Sequence, residues 1–162
     1  TLEEELEAVD NYIYILNVRF AGDIHFSKKV ECDVENVRVP SMILQPVVEN
    51  AVNHGIRNID WEGHIDLSVE RWNDHIEISV RDNGLGMTGE QIQRVLSKKV
   101  HSSSGEGDST GIGMNNVISR LELYYERDGL MEIYSEGEGM GTEVVINIPL
   151  ERSEKNVQNP DC

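Results

Sequence analysis

LQPVVENAVNHGI, residues 44–56, combines a buried helical face with an unusual polar one. Its apolar side chains recur at the three-to-four spacing of an amphipathic helix, at Leu44, Val47, Val48, Ala51 and Val52. The other face carries Glu49, Asn50, Asn53 and His54, where a solvent-facing helix usually carries Lys, Glu and Arg. Asparagine is a poor helix former because its amide competes for backbone hydrogen bonds. Two asparagines in one helix therefore indicate a functional role for that face.

Composition limits the size of the fold and the classes of partner. The chain has 162 residues, and a hydrophobic content of 38% is enough to enclose a single core. A net charge of −16 opposes binding to nucleic acid or to anionic lipid, because both require many cationic contacts to phosphate. Cys32 and Cys162 are too few for a disulfide framework, and there is no apolar run long enough to span a membrane. The sequence therefore predicts one cytoplasmic domain with no nucleic-acid partner.

The opening segment, TLEEELEAVDNYIYILNVRF, is predicted to be a helix with an apolar stripe. The stripe advances in steps of four and three residues, which is the spacing of a coiled-coil seam, through Leu2, Leu6, Val9, Ile13, Leu16 and Phe20. Such a seam faces a partner helix. An amphipathic helix that packs on its own domain has the same spacing, so both interpretations remain open.

The rest of the chain alternates between strand and helix patterns. Strands are predicted within 24–32, 64–72, 75–82, 130–136 and 142–150, and Asn73-Asp74 suits a hairpin turn between the second and third. Helices are predicted at 44–56, where Ser41 is placed to cap the start, at 88–98 and at 111–127. The polar stretch 98–110 is predicted to be a mobile lid, and 151–162 a disordered tail. This order favours an α+β fold with helices on one face of a mixed, mostly antiparallel sheet.

Two glycine-rich turns and the asparagine-bearing helix together describe a site for a magnesium nucleotide. Asp82 ends a hydrophobic strand, where its carboxylate can accept a hydrogen bond from an exocyclic amine, which favours adenine over guanine. Gly84 and Gly86 let the backbone approach a flat ring closely. Gly111 and Gly113 open a helix, whose unpaired N–H groups attract phosphate oxygens. Each turn taken alone is typical of an ordinary loop, and no GxxxxGK[ST] phosphate loop occurs.

Asn50 suits a magnesium site because its amide oxygen is a hard, neutral ligand that does not repel a triphosphate. Magnesium uses few protein ligands and completes its shell with phosphate oxygens and water. Asn53, one helical turn further along the same stripe, is placed to reach a phosphate or a metal-bound water. The alternative is that both asparagines cap neighbouring loops.

The segments LQPVVENAVNHG, DNGLGM and GIGMNNVISRLELYY resemble the N, G1 and G2 boxes of the histidine-kinase-like ATPase (GHKL) domain. The resemblance covers about residues 1–150 and is closest to the LytS/YesM type of bacterial sensor kinases. It implies the Bergerat fold, a two-layer α/β sandwich shared with gyrase B, MutL and the ninety-kilodalton heat-shock chaperones. It also implies that residues 1–20 end a dimerisation or linker helix, that 21–150 form the ATP-binding catalytic domain, and that the tail is 151–162.

The resemblance also implies roles for individual residues. Asn50 is expected to hold Mg²⁺, Asp82 to bind the adenine amine, and Thr142 to help bind adenine through water. The rest of the expected pocket consists of Gly84, Gly86, Met87, Gly111, Ile112, Gly113 and Met114. The two methionines either contact the ring or serve only in packing.

Several positions bear on catalysis. Relatives commonly have Lys at the position of Asn53, so Lys98, Lys99 or His101 in the polar loop is expected to supply the missing positive charge. His54 either lies beside the nucleotide or is a cation near a helix C-terminus. ATP-hydrolysing members place a glutamate four residues before the metal-binding asparagine, and here that position is Pro46. Direct hydrolysis is therefore expected to be slow. Glu49 is a candidate base for an accepting imidazole or, alternatively, a structural helix acid.

The resemblance thus implies a sensor histidine kinase that uses ATP and Mg²⁺. The γ-phosphate would pass to a histidine on an upstream dimerisation helix of a homodimer and then to a response regulator, with this chain as the cytoplasmic part of a membrane-anchored protein. The remaining histidines, His25, His64 and His75, fall on strands or their edges and are expected to be structural or surface residues. Two alternatives remain: a serine kinase of the anti-sigma type, and an ATP- or ADP-sensing interaction module without turnover.

Overall fold

The structure of the chain is a computed structural model that describes residues 1–20, 24–97 and 109–150, with side chains from residue 113 onward in the last range. The predicted lid at 98–110 lies outside the described residues for all but its last two positions, and Lys98, Lys99 and His101 are among those outside. Residues 109 and 110, which were predicted to belong to the lid, are the first residues of a helix. The predicted tail at 151–162 also lies outside the described residues. No helix within the described ranges is both long enough and apolar enough to cross a membrane.

Five strands form one mixed sheet, as the alternating patterns predicted. In chain order they are β1 (Ile24–Val30), β2 (Gly63–Arg71), β3 (His75–Asp82), β4 (Met131–Tyr134) and β5 (Thr142–Pro149). Their spatial order is β1-β2-β3-β5-β4, with β1 parallel to β2 and every other pair antiparallel. The predicted hairpin joins β2 to β3, and the Trp72 N–H donates to the His75 carbonyl at 2.8 Å across its turn.

The helices are α1 (Leu2–Arg19), α2 (Leu44–Asn50), α3 (Gly89–Leu96) and α4 (Ser109–Tyr125). Thr88 caps α3, and its hydroxyl accepts from the Gln91 N–H in a reciprocal capping box. Alternate residues of β2 point into the core against apolar side chains of α2 and α4, including Ile65, Leu67, Val69, Leu44, Val47, Val117 and Leu121. The molecule is therefore an α+β fold in which a helical layer packs on a sheet, as predicted.

The apolar stripe of α1 packs on the chain's own domain. Leu2, Leu6, Val9 and Ile13 are buried in the same core as α2, and the Leu2 N–H donates to the Val37 carbonyl at 2.8 Å. The prediction of a seam facing a partner helix is therefore wrong for these four positions. The amphipathic-helix alternative is correct, because the core of this domain supplies the apolar surface that the stripe requires.

The helix predicted at residues 44–56 is present but is not regular. It is α-helical from Leu44 to Asn50 and continues as a π-helical turn, Ala51–Ile56, which ends with the Arg57 N–H bonded to the Val52 carbonyl at 3.0 Å. The predicted capping role of Ser41 is wrong. The residue at the cap position is Ile43, which makes no side-chain capping bond, and the carboxylate of Glu5 on α1 accepts from the first N–H groups instead.

Candidate functional site

Asp82 is a buried carboxylate at the end of a central strand. It is 7% exposed and is paired in register with Thr142 on β5, which is equally buried. The Gly84 N–H donates to its Oδ1 atom at 2.9 Å. Burial raises the pKa of Asp82 from 3.8 to about 6, although the backbone amides of Gly84 and Thr142 pull the pKa part of the way down. The raised pKa means that the effect of burial outweighs that of these two amides, so a further donor to the carboxylate would be bound strongly.

Glycine backbones from two segments surround Asp82. A Cβ atom on Gly55, which is in the π-helical turn, would lie 2.7 Å from Oδ1 of Asp82. A Cβ on Gly84 would lie 2.1 Å from the carbonyl carbon of Gly55. The two segments are also joined directly, because the Leu85 N–H donates to the Gly55 carbonyl at 2.9 Å. Residues 44–56 and the turn after β3 therefore meet at Asp82, as the grouping of motifs predicted.

Asn83 fixes the turn after β3 to the start of β2. Its amide oxygen accepts from the His64 N–H at 2.7 Å, and its amide nitrogen donates to the Glu62 carbonyl at 2.8 Å. The Trp61 indole N–H donates to the Asn83 carbonyl at 2.8 Å. Sequence reasoning missed this residue. Its only signal was an asparagine before glycine, a pair that is common in turns without any functional role.

The loop between β4 and β5 packs over Gly86 and Met87. A Cβ on Gly86, which has a φ of +74°, would lie 2.1 Å from the Gly137 carbonyl oxygen. The Ser135 hydroxyl accepts from the Met87 N–H at 3.0 Å and donates to the Gly141 carbonyl at 2.6 Å. The loop and the turn are also joined because the Gly141 N–H donates to the Gly84 carbonyl at 3.1 Å. Ser135 was not among the predicted site residues, yet it links these two segments.

Asn50 is the last residue of α2 and is half-buried. Its amide makes no side-chain hydrogen bond to any part of the chain that the structure describes, so it is free to bind a ligand. Glu49 beside it accepts from Gln45 Nε2 at 2.9 Å, one helical turn earlier. Asn53 and His54 lie in the π-helical turn and are exposed. Within the described ranges, no three His, Cys, Asp or Glu side chains are grouped to hold a metal ion.

The predicted phosphate-binding glycines lie at the start of α4. The helix begins at Ser109, so Gly111, Ile112 and Gly113 fall in its first turns. A Cβ on Gly113 would meet no atom within 4 Å. Met114 is 2% exposed and belongs to the hydrophobic core, which is the packing role that the sequence left open. Met87 is half-buried at the turn after β3.

This arrangement fits one end of a purine nucleotide. Asp82 has an acceptor to spare, and the glycine at position 55 keeps the space beside its carboxylate free of a side chain. An amine that donates to this carboxylate gains a charge-assisted hydrogen bond worth about 1.5 to 3 kcal/mol. Adenine carries such an amine, whereas guanine presents a carbonyl oxygen at the equivalent position. The helix start of α4 supplies N–H groups that suit phosphate oxygens.

Comparison with known proteins gives relatives for nearly the whole chain. The chain is 31% identical to the sensor histidine kinase/phosphatase LytS of Staphylococcus aureus over 96% of its length, covering 26% of that protein. It is also 31% identical to the sensor histidine kinase YpdA of Escherichia coli over 94% of its length, covering 25% of that protein. The chain thus spans about a quarter of the length of these curated relatives.

Solved structures share the fold. The catalytic domain of histidine kinase ThkA matches with a TM-score of 0.62 at 18% identity, covering 89% of this chain and 93% of that domain. The family model for the histidine kinase-, DNA gyrase B- and HSP90-like ATPases matches residues 38–152, which contain all three predicted motifs. The chain belongs to this ATPase family.

Proposed function

We propose that this chain is the ATP-binding catalytic domain of a sensor histidine kinase. In the full-length protein, it would transfer the γ-phosphoryl group of ATP to a histidine upstream of this chain, from which the group passes to a response regulator. The observation that carries the proposal is the buried carboxylate of Asp82, enclosed by the backbones of Gly55 and Gly84 and with its pKa raised by burial. The naming of the relatives as sensor histidine kinases supports the choice of reaction.

Asp82 and Thr142 would bind the adenine end of the nucleotide. Asp82 accepts from the exocyclic amine, and the neighbouring Thr142 hydroxyl contacts the ring through water. Gly84, Gly86 and Met87 form the wall beside the ring. The unpaired N–H groups at the start of α4, which begins at Ser109, extend to Gly111 and would face the phosphates, with Ile112 and Gly113 in the next turn. Mg²⁺ would be held by Asn50 together with phosphate oxygens and water, and it would neutralise charge on the triphosphate. Asn53 and His54 are exposed and on the same segment, so they are available to the phosphates.

The residues near Asn50 favour transfer to a protein over transfer to water. Pro46, one helical turn before Asn50, has no side-chain group that accepts a proton from an attacking water. Glu49 is half-buried and bonded to Gln45, which orients its carboxylate to receive a proton from an imidazole. Phosphoryl transfer depends mainly on positioning and on charge neutralisation. A domain that binds MgATP in this way therefore needs only a histidine of the full-length protein placed next to the γ-phosphate.

Three of the described histidines, His25, His64 and His75, suit structural roles better than the role of acceptor. His25 and His64 stack at 4.9 Å between ring centroids on neighbouring strands, where both lie close to Glu62. His75 begins β3 and bonds to Asp74 at 2.7 Å. We therefore expect this chain alone to bind MgATP without forming stable phosphohistidine. The acceptor helix and a membrane anchor would belong to other parts of a homodimeric protein.

A phosphorylation assay on the whole cytoplasmic region tests the proposal. With radiolabelled MgATP, we expect acid-labile, base-stable label that is lost when the upstream histidine is replaced. Acid-stable label would instead identify a serine kinase of the anti-sigma type. ATP binding with no label would identify a nucleotide-sensing interaction module, which the lack of a base at Pro46 favours as the second candidate. Appreciable phosphohistidine on this chain alone would refute the placement of the acceptor.

A further inference from the structure

The backbone N–H groups in the segment before α2, residues 41–43, are bound by a side chain of α1, which is distant in sequence. The carboxylate of Glu5 on α1 accepts from the N–H groups of Met42, Ile43 and Leu44 at 2.7, 2.9 and 3.0 Å. No side chain near the start of α2 caps it. Glu5 therefore caps α2 from another helix, and its negative charge suits the positive end of the helix dipole.

The backbone carbonyl groups of the same segment are bound by a side chain of α4. Arg120 Nη1 donates to the Ser41 carbonyl at 2.9 Å and to the Met42 carbonyl at 3.2 Å. Met42 has a φ of +61°, a conformation that is unfavourable for a residue with a side chain. Such a conformation persists where the surroundings fix it, and here Glu5 and Arg120 bind the N–H and carbonyl groups of one short segment.

Further contacts join α1 to α2 and to the sheet. Leu6 and Val9 are buried in the core, and Lys28 on β1 forms an ion pair with Asp10. Tyr12 of α1 packs against the same core, and burial first and then the negative charge of Glu49 raise the pKa of its hydroxyl. α1 is thus connected directly to the start of α2, through Glu5, and to the sheet, through Asp10.

We propose that Glu5 and Arg120 are positioning residues for the nucleotide site. They fix residues 41–43 and so set how α2, which carries Asn50, lies relative to the start of α4. Neither side chain is assigned a contact with the nucleotide, and both act through α2. The inference rests on the proposed nucleotide binding. Because coupling between two sites is reciprocal, nucleotide binding must stabilise the contacts that Glu5 makes.

Hydrogen exchange on the unaltered chain tests this reciprocity directly. The amides of Met42, Ile43 and Leu44 should exchange at least about fivefold more slowly when the site is saturated with MgATP. Amides of the β2–β3 hairpin turn, at residues 72–75, serve as the internal control and should not change. Unchanged exchange at residues 42–44 despite measured nucleotide binding would overturn the inference. A chain that binds no MgATP would instead refute the proposed function.

Affinity measurements separate positioning from ordinary stabilisation. Glu5→Gln keeps the shape of the side chain but removes one of its acceptors, whereas Glu7→Gln removes the same charge at an exposed position of α1. At a temperature where both are folded, Glu5→Gln should weaken MgATP binding at least about fivefold, and Glu7→Gln should stay within about twofold of the parent. Arg120→Gln should weaken binding in the same way. If Glu5→Gln and Arg120→Gln lower the melting temperature but leave the MgATP affinity unchanged, Glu5 and Arg120 serve stability only and the inference is wrong. If either variant does not fold, the exchange experiment decides.

Discussion

Replacing Asp82 by Asn should stabilise the nucleotide-free domain while weakening its binding of ATP. The pKa of Asp82 rises from 3.8 to about 6 on folding, mainly through burial, so ionisation of this group opposes folding. The difference corresponds to about 3 kcal/mol above pH 6, because each pH unit between the two values contributes about 1.4 kcal/mol. Asparagine removes this penalty and still offers an oxygen to the Gly84 N–H.

The expected gain is smaller than the full penalty. The new amide N–H groups are left without an acceptor in a buried site, which costs about 1 kcal/mol. The net effect at pH 7.5 is therefore a rise of about 2 kcal/mol in the free energy of unfolding. A carboxyl group whose pKa is raised by folding is penalised above its folded pKa and not below its unfolded pKa. The stabilisation should therefore decline between pH 6 and pH 4 and reverse to a loss of about 1 kcal/mol near pH 4.

Nucleotide affinity should change in the opposite direction. In asparagine one carboxylate oxygen is replaced by an NH₂ group. If the remaining oxygen keeps the Gly84 N–H, the position that offered an acceptor to the adenine amine presents a donor instead. Loss of a charge-assisted hydrogen bond of about 1.5 to 3 kcal/mol weakens binding roughly tenfold to 150-fold. In the parent, the affinity should also fall as the pH drops below about 6, since the carboxyl group becomes protonated.

Urea unfolding from pH 4 to pH 8 and calorimetric titration with MgATP at pH 7.5 measure the two effects. Asp128→Asn is the matched control, because it removes the same charge from an exposed turn and should change neither quantity beyond about 0.5 kcal/mol. Parent-like ATP affinity in Asp82→Asn would place the adenine pocket elsewhere. A variant that is less stable than the parent at pH 7.5 would show that the raised pKa is misattributed to burial.

Three further substitutions, the first with a matched control at Gly89, test other parts of the site. Gly84→Ala should lower the free energy of unfolding by about 2 to 4 kcal/mol in urea, because its Cβ would lie 2.1 Å from the backbone of Gly55. Gly89→Ala, in a helix and with no atom within 4 Å, should leave it unchanged or raise it by up to about 1 kcal/mol. Asn50→Asp should alter the magnesium dependence of ATP binding, measured by titration at several Mg²⁺ concentrations, while changing stability by less than about 1 kcal/mol. Ser135→Ala should speed hydrogen exchange at Met87 and weaken ATP binding severalfold, since the hydroxyl joins the loop to the turn.

The sheet was predictable because its signals are local. In β2 the side chains of Ile65, Leu67 and Val69 alternate with polar ones, and a turn sequence follows at Asn73-Asp74. Period-two alternation and turn chemistry depend only on neighbours in the chain. The same holds for Thr88, whose capping box lies within four residues. Elements defined by nearby residues therefore matched their predictions closely.

The packing of α1 was not predictable from its stripe. A helix with apolar residues in steps of four and three offers one face, and the spacing is the same whether another helix or its own domain covers that face. The packing of α1 is decided by the apolar surface opposite its stripe. Distant segments form that surface, through Ile43, Leu44 and Val47. The cap that Glu5 provides to α2 was unpredictable for the same reason, because Met42 lies 37 positions after Glu5 in the sequence.

Motifs predicted that residues 44–56 and the turn after β3 lie together, which the structure shows, but not which residues hold them together. Asp82 and Gly84 were predicted because their chemistry belongs to the side chain, or its absence, at that position. Gly55, Asn83 and Ser135 were missed because each acts on the backbone of a segment far away in the chain. A hydroxyl that bonds to another turn leaves no local pattern. The connections between motifs therefore became visible only in the folded chain.

The π-helical turn leaves the two faces of residues 44–56 as the sequence predicted. The apolar positions are buried and the polar ones are not, namely Leu44, Val47, Val48, Ala51 and Val52 against Glu49, Asn50, Asn53 and His54. A π-helix bonds each N–H to the fifth carbonyl before it, so each residue advances the chain by a smaller rotation than in an α-helix. Asn53 lies within this turn and is exposed. The same wider turn carries Gly55 against Asp82, where a side chain would collide with the carboxylate. Because π-helical turns are rare and tend to occur at functional sites, a turn of this kind between Asn50 and Gly55 agrees with the proposal that the segment holds the metal at one end and packs on Asp82 at the other.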